Sequence, residues 1–210
     1  MTVALETRHD VFSTPASEER IERTVKALER NGIRTYVAGD KDEARRLFLE
    51  LIPAGAQVHQ GSSVTLTETG ITDEIEASGR FEAVRPRIRS LDRATQGDEI
   101  RRLAASPEYM AGSVQAVTED GKVLIVSGSG SQIGPYAYGA GKVIWVAGTQ
   151  KLVRDLEEGY RRIDEHVLPL EDQRARQAYG VGSNPNKVLI FNRERPGRIT
   201  MILVKENIGF

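Results

Sequence analysis

The sequence has 210 residues, 39% hydrophobic and 28% charged, a composition that excludes a fibrous or disordered protein and suffices for an ordinary buried core. Its 29 Lys and Arg residues nearly balance 30 Asp and Glu residues, whereas a general nucleic-acid-binding protein carries a basic excess. Cysteine is absent, so no disulfide and no thiolate-ligated zinc or iron–sulfur site can form within the chain.

Other sequence-wide features argue against a metal site and a membrane segment. The three histidines, His9, His59 and His166, form no HExxH or His-x-His pair, so a zinc enzyme is not expected. No uninterrupted apolar run approaches the roughly 20 residues that span a bilayer. Residues 1–12 lack the hydrophobic stretch of a signal peptide, and we therefore expect a cytoplasmic protein.

The first half of the chain alternates between predicted helices and strands. An N-terminal arm of residues 1–16 precedes Ser17, a candidate cap for a helix whose apolar residues recur at helical spacing. Asp40 and Glu43 form the capping-box pattern that starts a second helix. The predicted order is helix 18–30, strand 33–38, a helix ending before Pro53, strand 56–60 and a helix starting near Thr65.

The second half continues this alternation. The predicted order is strand 81–85, an arginine-rich loop, a helix near 95–105, paired strands 114–118 and 123–127, strand 143–148, a helix from Leu152 to Ile163, a helix over 169–179, and a hairpin of strands 188–192 and 199–206. Strands alternating with helices indicate an α/β fold with a mainly parallel sheet flanked by helices. We expect one domain over residues 17–210, with the tail from residue 186 as an antiparallel edge of the same sheet.

A glycine-rich loop, residues 127–141, directly follows a predicted strand. Glycines let the backbone approach a ligand closely, and a helix starting near Pro135 would direct its N–H groups toward an anion. The spacing matches neither a P-loop nor a dinucleotide fingerprint. The alternative is a tight turn whose glycines serve packing. The candidate ligand-binding residues are Gly128, Ser129, Gly130, Ser131, Gln132, Gly134 and Tyr136.

Two further segments are candidates for the same site. The serine loop, Gly61-Ser62-Ser63, also lies between a strand and a helix, and Thr65 adds a hydroxyl. Because ligands bind at the carboxyl ends of parallel strands, the two loops are expected to converge on one small anion. In the arginine-rich segment, Arg85 or Arg87 is a candidate for binding an acidic ligand through a bidentate guanidinium. The alternative for this segment is a solvated, ion-paired surface.

Several single residues have a structural and a functional interpretation. Glu68 is a weak candidate for a general base, but a helix N-terminus favours an acid there for electrostatic reasons. His59 is more simply a core or edge residue of its strand, and Trp145 a core residue. Tyr136 and Tyr138 flank the glycine-rich loop, where they either cover a pocket or form a subunit contact, so a homo-oligomer stays open.

Several segments resemble the LUD domain family, also called the LutC or YkgG family, from about residue 18 to the C-terminus. These segments are GSSVTLTETGI, RPRIRSLDRATQ, GSVQAVTEDGKVLIVSGSGSQIGPYAYGAGKVIWVAGTQKLV and PGRITMILVKENIGF. The resemblance implies a fold like that of ribose-5-phosphate isomerase, glucosamine-6-phosphate deaminase and the CoA transferases. No acid occurs between Asp120 and Asp155, where the isomerases carry a catalytic Glu. The turn at Glu119 resembles the Glu-Asn-Gly of CoA transferases, which makes Glu119 a weak catalytic candidate.

The resemblance also implies a role in oxidising L-lactate to pyruvate beside two iron–sulfur proteins. We expect the clusters in the partner proteins and no cofactor in this chain, which would bind a small anionic metabolite or its partners. Two alternatives stay open, since a family does not fix chemistry. One is a stand-alone isomerase, deaminase or CoA-transfer enzyme acting on a phosphorylated or carboxylated metabolite. The other is a ligand-sensing regulatory protein. Neither a nucleic acid nor a membrane is an expected partner.

Overall fold

The computed structural model describes residues 11–210. Residues 1–10, and with them most of the predicted N-terminal arm, lie outside the described residues. Among the described helices, none is both long enough and apolar enough to cross a bilayer. The single domain expected over residues 17–210 stays a prediction.

The described chain alternates between helices and strands. The α-helices are α1 Glu18–Arg30, α2 Lys41–Leu51, α3 Val64–Glu68, α4 Ile71–Glu76, α5 Val84–Ser90, α6 Gly97–Ala105, α7 Leu156–Arg162 and α8 Leu168–Tyr179. The strands are β1 Arg34–Ala38, β2 Gln57–Gln60, β3 Glu82–Ala83, β4 Tyr109–Gly112, β5 Ala116–Thr118, β6 Val123–Ser127, β7 Lys142–Gly148, β8 Leu152–Val153, β9 Lys187–Phe191 and β10 Ile199–Val204. A π-helical turn, Pro135–Gly139, follows the glycine-rich loop, and a second, Ile163–Val167, joins α7 to α8.

The main sheet has six parallel strands in the order β1-β10-β7-β4-β2-β3. Strand β10 lies between β1 and β7, with Thr200 opposite both Arg34 and Ile144. The predicted α/β fold with a mainly parallel sheet flanked by helices is therefore confirmed.

A second sheet of four strands, in the order β8-β5-β6-β9, packs against one face of the first. Here β5 pairs with β6 and β6 with β9 in antiparallel fashion, whereas β5 and β8 run parallel. The predicted pairing of β5 and β6 is confirmed. The sequence did not reveal that these strands leave the main sheet.

The apolar residues of β7 show how the layers are stacked. Val143, Trp145 and Ala147 point into the core between the two sheets, which α1 also contacts. Ile144 and Val146 point into a second core under α2, α3 and α4. This alternation gives β7 an almost unbroken apolar sequence, as expected for a strand covered on both faces. Helix α7 covers the outer face of the second sheet.

The predicted C-terminal hairpin is wrong. The turn at Pro196 and Gly197 connects two strands of different sheets: β9 pairs with β6, and β10 is a parallel strand inside the main sheet. The tail is therefore not an antiparallel edge of that sheet. Residues 199–204 are nearly all apolar because both faces of β10 are covered. This apolar run is typical of a central strand, but the Pro-Gly turn before it favoured the prediction of a hairpin.

Three local predictions also need correction. The arginine-rich segment is helix α5 rather than a loop, since Pro86 occupies its first turn, where proline is tolerated. Strand β4 was missed because YMAG is short and ends in glycine. Leu152 belongs to β8, and the helix predicted from it begins at Leu156, behind the Asp155 cap.

Candidate functional site

A pocket of about 340 Å³ lies where the serine loop, the glycine-rich loop and helix α8 meet. Gly61 directly follows β2, and Ser113 directly follows β4, so two carboxyl ends of the parallel sheet open into it. Ser127 ends β6 of the second sheet. The site is therefore a cleft between the two sheets, at the edge where ligands bind in parallel α/β folds.

The pocket brings together most of the residues chosen from the sequence. Nine of them line it: Gly61, Ser62, Ser63, Thr65, Gly128, Ser129, Ser131, Gln132 and Tyr136. The convergence of the two loops is thus a feature of the described structure. Whether these residues bind a ligand stays a prediction.

The serine loop is held by bonds at both ends. The Oγ of Ser63 accepts a hydrogen bond from Leu66 N at 3.3 Å and so caps α3. The Oγ of Ser62 accepts one from Arg85 Nη2 at 2.8 Å. Arg85 is not itself part of the pocket lining, and its guanidinium also pairs with Glu76 at 3.5 Å.

Several polar groups of the glycine-rich loop form hydrogen bonds within the loop. Gly130 N donates to Ser127 Oγ at 2.8 Å, and that hydroxyl donates to Gln132 Oε1 at 3.0 Å. Gly130 has a φ of +86° and lies beside Lys187, outside the pocket lining. Gly134 also lies outside it, before the π-helical turn. The predicted helix at Pro135 is therefore one turn only.

Three further candidates lie away from the pocket lining. Arg87 is exposed and pairs with Glu99 at 3.6 Å, which fits the ion-paired alternative. Glu119 binds Arg20 at 2.8 Å on another surface. Glu68 accepts a hydrogen bond from Gly209 N at 2.7 Å and so anchors the segment that follows β10.

The pocket mouth is formed by Ser62 with three residues of α8 that the sequence did not suggest. Arg174 donates two hydrogen bonds to Glu171, at 2.7 and 2.6 Å. Hydrogen bonds with Ser62 and then with Arg174 lower the pKa of Tyr179. These residues lie on a helix that is mostly polar and exposed, so the sequence contained no indication that they border a pocket.

The pocket floor is formed by Thr65, Ser113 and Gln115, with a buried amine behind it. The Nζ of Lys151 donates to Thr65 Oγ1 at 2.9 Å and to Ser113 Oγ at 3.0 Å, and its side chain is fully buried. Burial, and then the charge of Arg162, lowers the pKa of Lys151 well below its ordinary value of 10.5. Glu68 acts in the opposite direction.

Arg162 is the second buried cation near the floor. Its Nη1 donates to the backbone oxygen of Gln115 at 2.7 Å, while Nε and Nη2 have no hydrogen-bond partner among the described residues. Burial lowers its pKa to about 9. The sequence did contain a signal for Lys151, since this lysine is the third residue after the carboxyl end of the apolar strand β7. The sequence contains no such signal for Arg162, because it is one of several arginines in predicted helices.

The aromatic and histidine residues near the site serve mainly as packing. Tyr136 is buried and contacts Trp145 edge-on, with 5.5 Å between ring centroids, whereas Tyr138 is 90% exposed. His59 is buried in β2, as the core interpretation predicted. Among residues 11–210, no group of three or more His, Asp and Glu side chains is arranged to hold a metal ion.

Comparison with known families assigns the chain. The model of the LUD domain matches residues 21–209. The chain belongs to the LUD domain family. Among solved structures, this LUD domain is similar to a DUF162 family protein from Deinococcus radiodurans, with a TM-score of 0.56 over 90% of this chain and 99% of that one. Sequence identity is 11%, so that likeness concerns the fold. No curated protein matches the chain.

Proposed function

We propose that this LUD domain binds a small anionic metabolite in the pocket and acts as a LutC-like component of L-lactate utilisation. The observation that carries the proposal is the pocket itself, where two loops at strand ends converge. Its lining is rich in hydroxyl and amide groups, from Ser62, Ser63, Ser129, Ser131 and Gln132 among others. Such groups fix the orientation of a small polar ligand.

Family membership supports a lactate-associated role at the level of the family. The chain contains no cysteine, so electrons from lactate would pass to cysteine-ligated clusters of partner proteins. In this role the domain holds the metabolite or docks the partners. The stand-alone enzyme stays an alternative, and the isomerase form of it is disfavoured because no acid lies between Asp120 and Asp155.

A thermal-shift screen tests the proposal. The purified domain is heated with L-lactate, pyruvate, inorganic phosphate, a sugar phosphate or a CoA ester, each over a range of concentrations. A ligand of the native state stabilises it by about 2.7 kcal/mol at 100 times its Kd, which raises the melting temperature by several degrees. We expect a rise with at least one anion and loss of that rise in Ser129→Glu, which places a negative charge in the pocket lining.

The matched control is Ser90→Glu, which adds the same charge at the exposed end of α5, outside the pocket. It is expected to respond to ligand like the parent protein. Equal loss in both variants would show a general charge effect. A response that survives in Ser129→Glu would place the ligand elsewhere, and no response to any compound would contradict a small-metabolite pocket.

A further inference from the structure

Among the described residues, the cations around the pocket are ion-paired at the mouth, where Arg85 pairs with Glu76, and lack an ion pair behind the floor. At the mouth, Arg174 is neutralised by the two-bonded carboxylate of Glu171. Behind the floor, Lys151 and Arg162 are both fully buried, and neither forms an ion pair with any residue of the described chain. Burying a cation without a counter-charge is costly, so the floor is the place where an added negative charge gains most.

The hydrogen-bond directions at the floor fit such a charge. Because Lys151 donates to the hydroxyl oxygens of Thr65 and Ser113, each of these hydroxyls keeps its own hydrogen for another acceptor. Within residues 11–210, neither hydroxyl donates that hydrogen to a protein acceptor. Both residues line the pocket, where the acceptor would be a ligand.

Gln115 adds a third donor to the floor. Its Oε1 accepts a hydrogen bond from Val126 N at 2.8 Å, which fixes the orientation of the amide. Its backbone oxygen accepts from Arg162. The side-chain NH₂ is therefore left to donate, and Gln115 also lines the pocket.

From these contacts we infer that Thr65, Ser113 and Gln115 form a subsite for a singly charged oxyanion, with Lys151 and Arg162 supplying positive charge from behind. The uncharged, hydroxyl-bearing remainder of the ligand lies toward the mouth. This inference rests on the proposed function and gives the anion a position and a charge. A carboxylate and a phosphate share the required chemistry. Lys151 acts as a positioning residue through the two hydroxyls.

Binding at this subsite couples to protonation of Lys151. The groups that act on its amine are Arg162 of α7 and Glu68 of α3, besides the hydroxyls of Thr65 and Ser113. Burial and Arg162 lower the pKa of Lys151, whereas a bound anion raises it again. At pH values between the pKa of Lys151 in the free protein and its higher pKa in the complex, binding therefore takes up a proton, and the affinity decreases as the pH rises through that interval.

Isothermal titration calorimetry of the whole chain tests the subsite. The probes are L-lactate as a carboxylate, inorganic phosphate, and L-malate, whose second carboxylate would meet cations of the described mouth, Arg85 and Arg174, that are already paired. Two buffers of different ionisation enthalpy report proton uptake. We expect proton uptake with the parent protein, and weaker binding of L-malate than of L-lactate.

The variants separate the floor from a general charge effect. Lys151→Met is expected to lose proton uptake and roughly tenfold to a hundredfold in affinity, the range of charge-assisted hydrogen bonds. Thr65→Val and Ser113→Ala keep the amine and are also expected to bind the anion more weakly. These two variants test the subsite if Lys151→Met fails to fold. Lys122→Met removes a partly exposed lysine paired with Asp120, away from the pocket, and is expected to bind like the parent.

The outcomes separate the two proposals. Unchanged affinity in Thr65→Val, Ser113→Ala and Lys151→Met, with a parent that binds, would overturn the subsite and leave the proposed function standing. Absence of binding by the parent to every probe would overturn both. Trapping of pyruvate, the keto acid of the thermal-shift screen, on Lys151 by borohydride would also overturn the subsite, because the amine would then react with the ligand instead of supporting the hydroxyls.

Discussion

The imidazole of His59 lies inside β2, where its Nδ1 has no hydrogen-bond partner among the described residues. Burial, and then the positive charge of Arg85, lowers its pKa from 6.5 to about 4. The ring is therefore neutral at pH 7 in the folded and the unfolded protein. Below pH 6.5, His59 binds a proton in the unfolded chain but not in the folded chain, so the free energy of unfolding decreases as the pH falls toward 4.

We expect His59→Gln to flatten this part of the stability curve. The difference between pKa values of 6.5 and about 4 corresponds to about 3 kcal/mol, present above pH 6.5 and lost as the pH falls to about 4. Urea denaturation of both proteins at several pH values between 7.5 and 4 measures it. Because carboxylates titrate in both proteins, the quantity of interest is the difference between the two curves. Parallel curves would contradict a buried neutral histidine.

At the residue scale, the sequence predicted side chains whose role follows from local context. Ser63 caps α3 and lines the pocket because it follows a strand and precedes a helix. Lys151 has one local signal, its position just after the carboxyl end of β7, but the burial of Lys151 and Arg162 by distant elements could not be recognised from their neighbours in the chain. Arg87 shows the opposite case: arginine is a suitable residue type for binding an anion, but this one lies on the solvated surface and pairs with Glu99.

Contacts between elements depend on single glycines at the pocket. Gly112 ends β4, and a Cβ atom there would overlap the phenol oxygen of Tyr136 in the π-helical turn. Tyr136 cannot easily move away, because it packs against Trp145 between the sheets. The close approach of β4 and this turn therefore requires glycine.

Gly112→Ala is expected to lower the free energy of unfolding by about 1–3 kcal/mol, the cost of overpacking a core contact. Gly134→Ala is the control, because a Cβ atom there would meet no described residue within 4 Å apart from its neighbours in the chain, and its φ is −57°. It should change stability by less than about 0.5 kcal/mol. Fluorescence of the single tryptophan, Trp145, during urea unfolding measures both variants. Equal urea midpoints for the two variants would show that Tyr136 moves away from the added Cβ atom without loss of stability.

Most elements of this LUD domain could be predicted from periodicity and caps, since both act within a few residues. Ser17, Asp40 and the apolar spacing of α1 and α2 are local signals, and the structure shows both helices with these caps. Which sheet a strand joins is not local. Strands β9 and β10 have a hairpin-like connection, yet they separate, because β10 is apolar on both faces and β9 is half exposed.

For the whole molecule, this topology makes the two C-terminal strands unequal. Leu203 of β10 is fully buried in the core between the sheets, and Val188 of the edge strand β9 is 43% exposed. Leu203→Ala is expected to cost about 2–5 kcal/mol of unfolding free energy, through lost burial and a cavity. Val188→Ala is expected to cost less than about 0.5 kcal/mol. Chemical denaturation gives both values, and similar values would favour the hairpin over the interleaved arrangement.

The central position of β10 also sets an order of events during synthesis on the ribosome. Arg34 of β1 pairs with Thr200, so β1 leaves the exit tunnel long before its partner has been translated. At about 5–20 residues per second, that interval is roughly 10–30 s. During it the main sheet lacks the strand between β1 and β7, and their apolar faces stay available to chaperones or to other nascent chains. Completion of the main sheet is therefore a late event in translation, because it waits for the strand that joins its two sides.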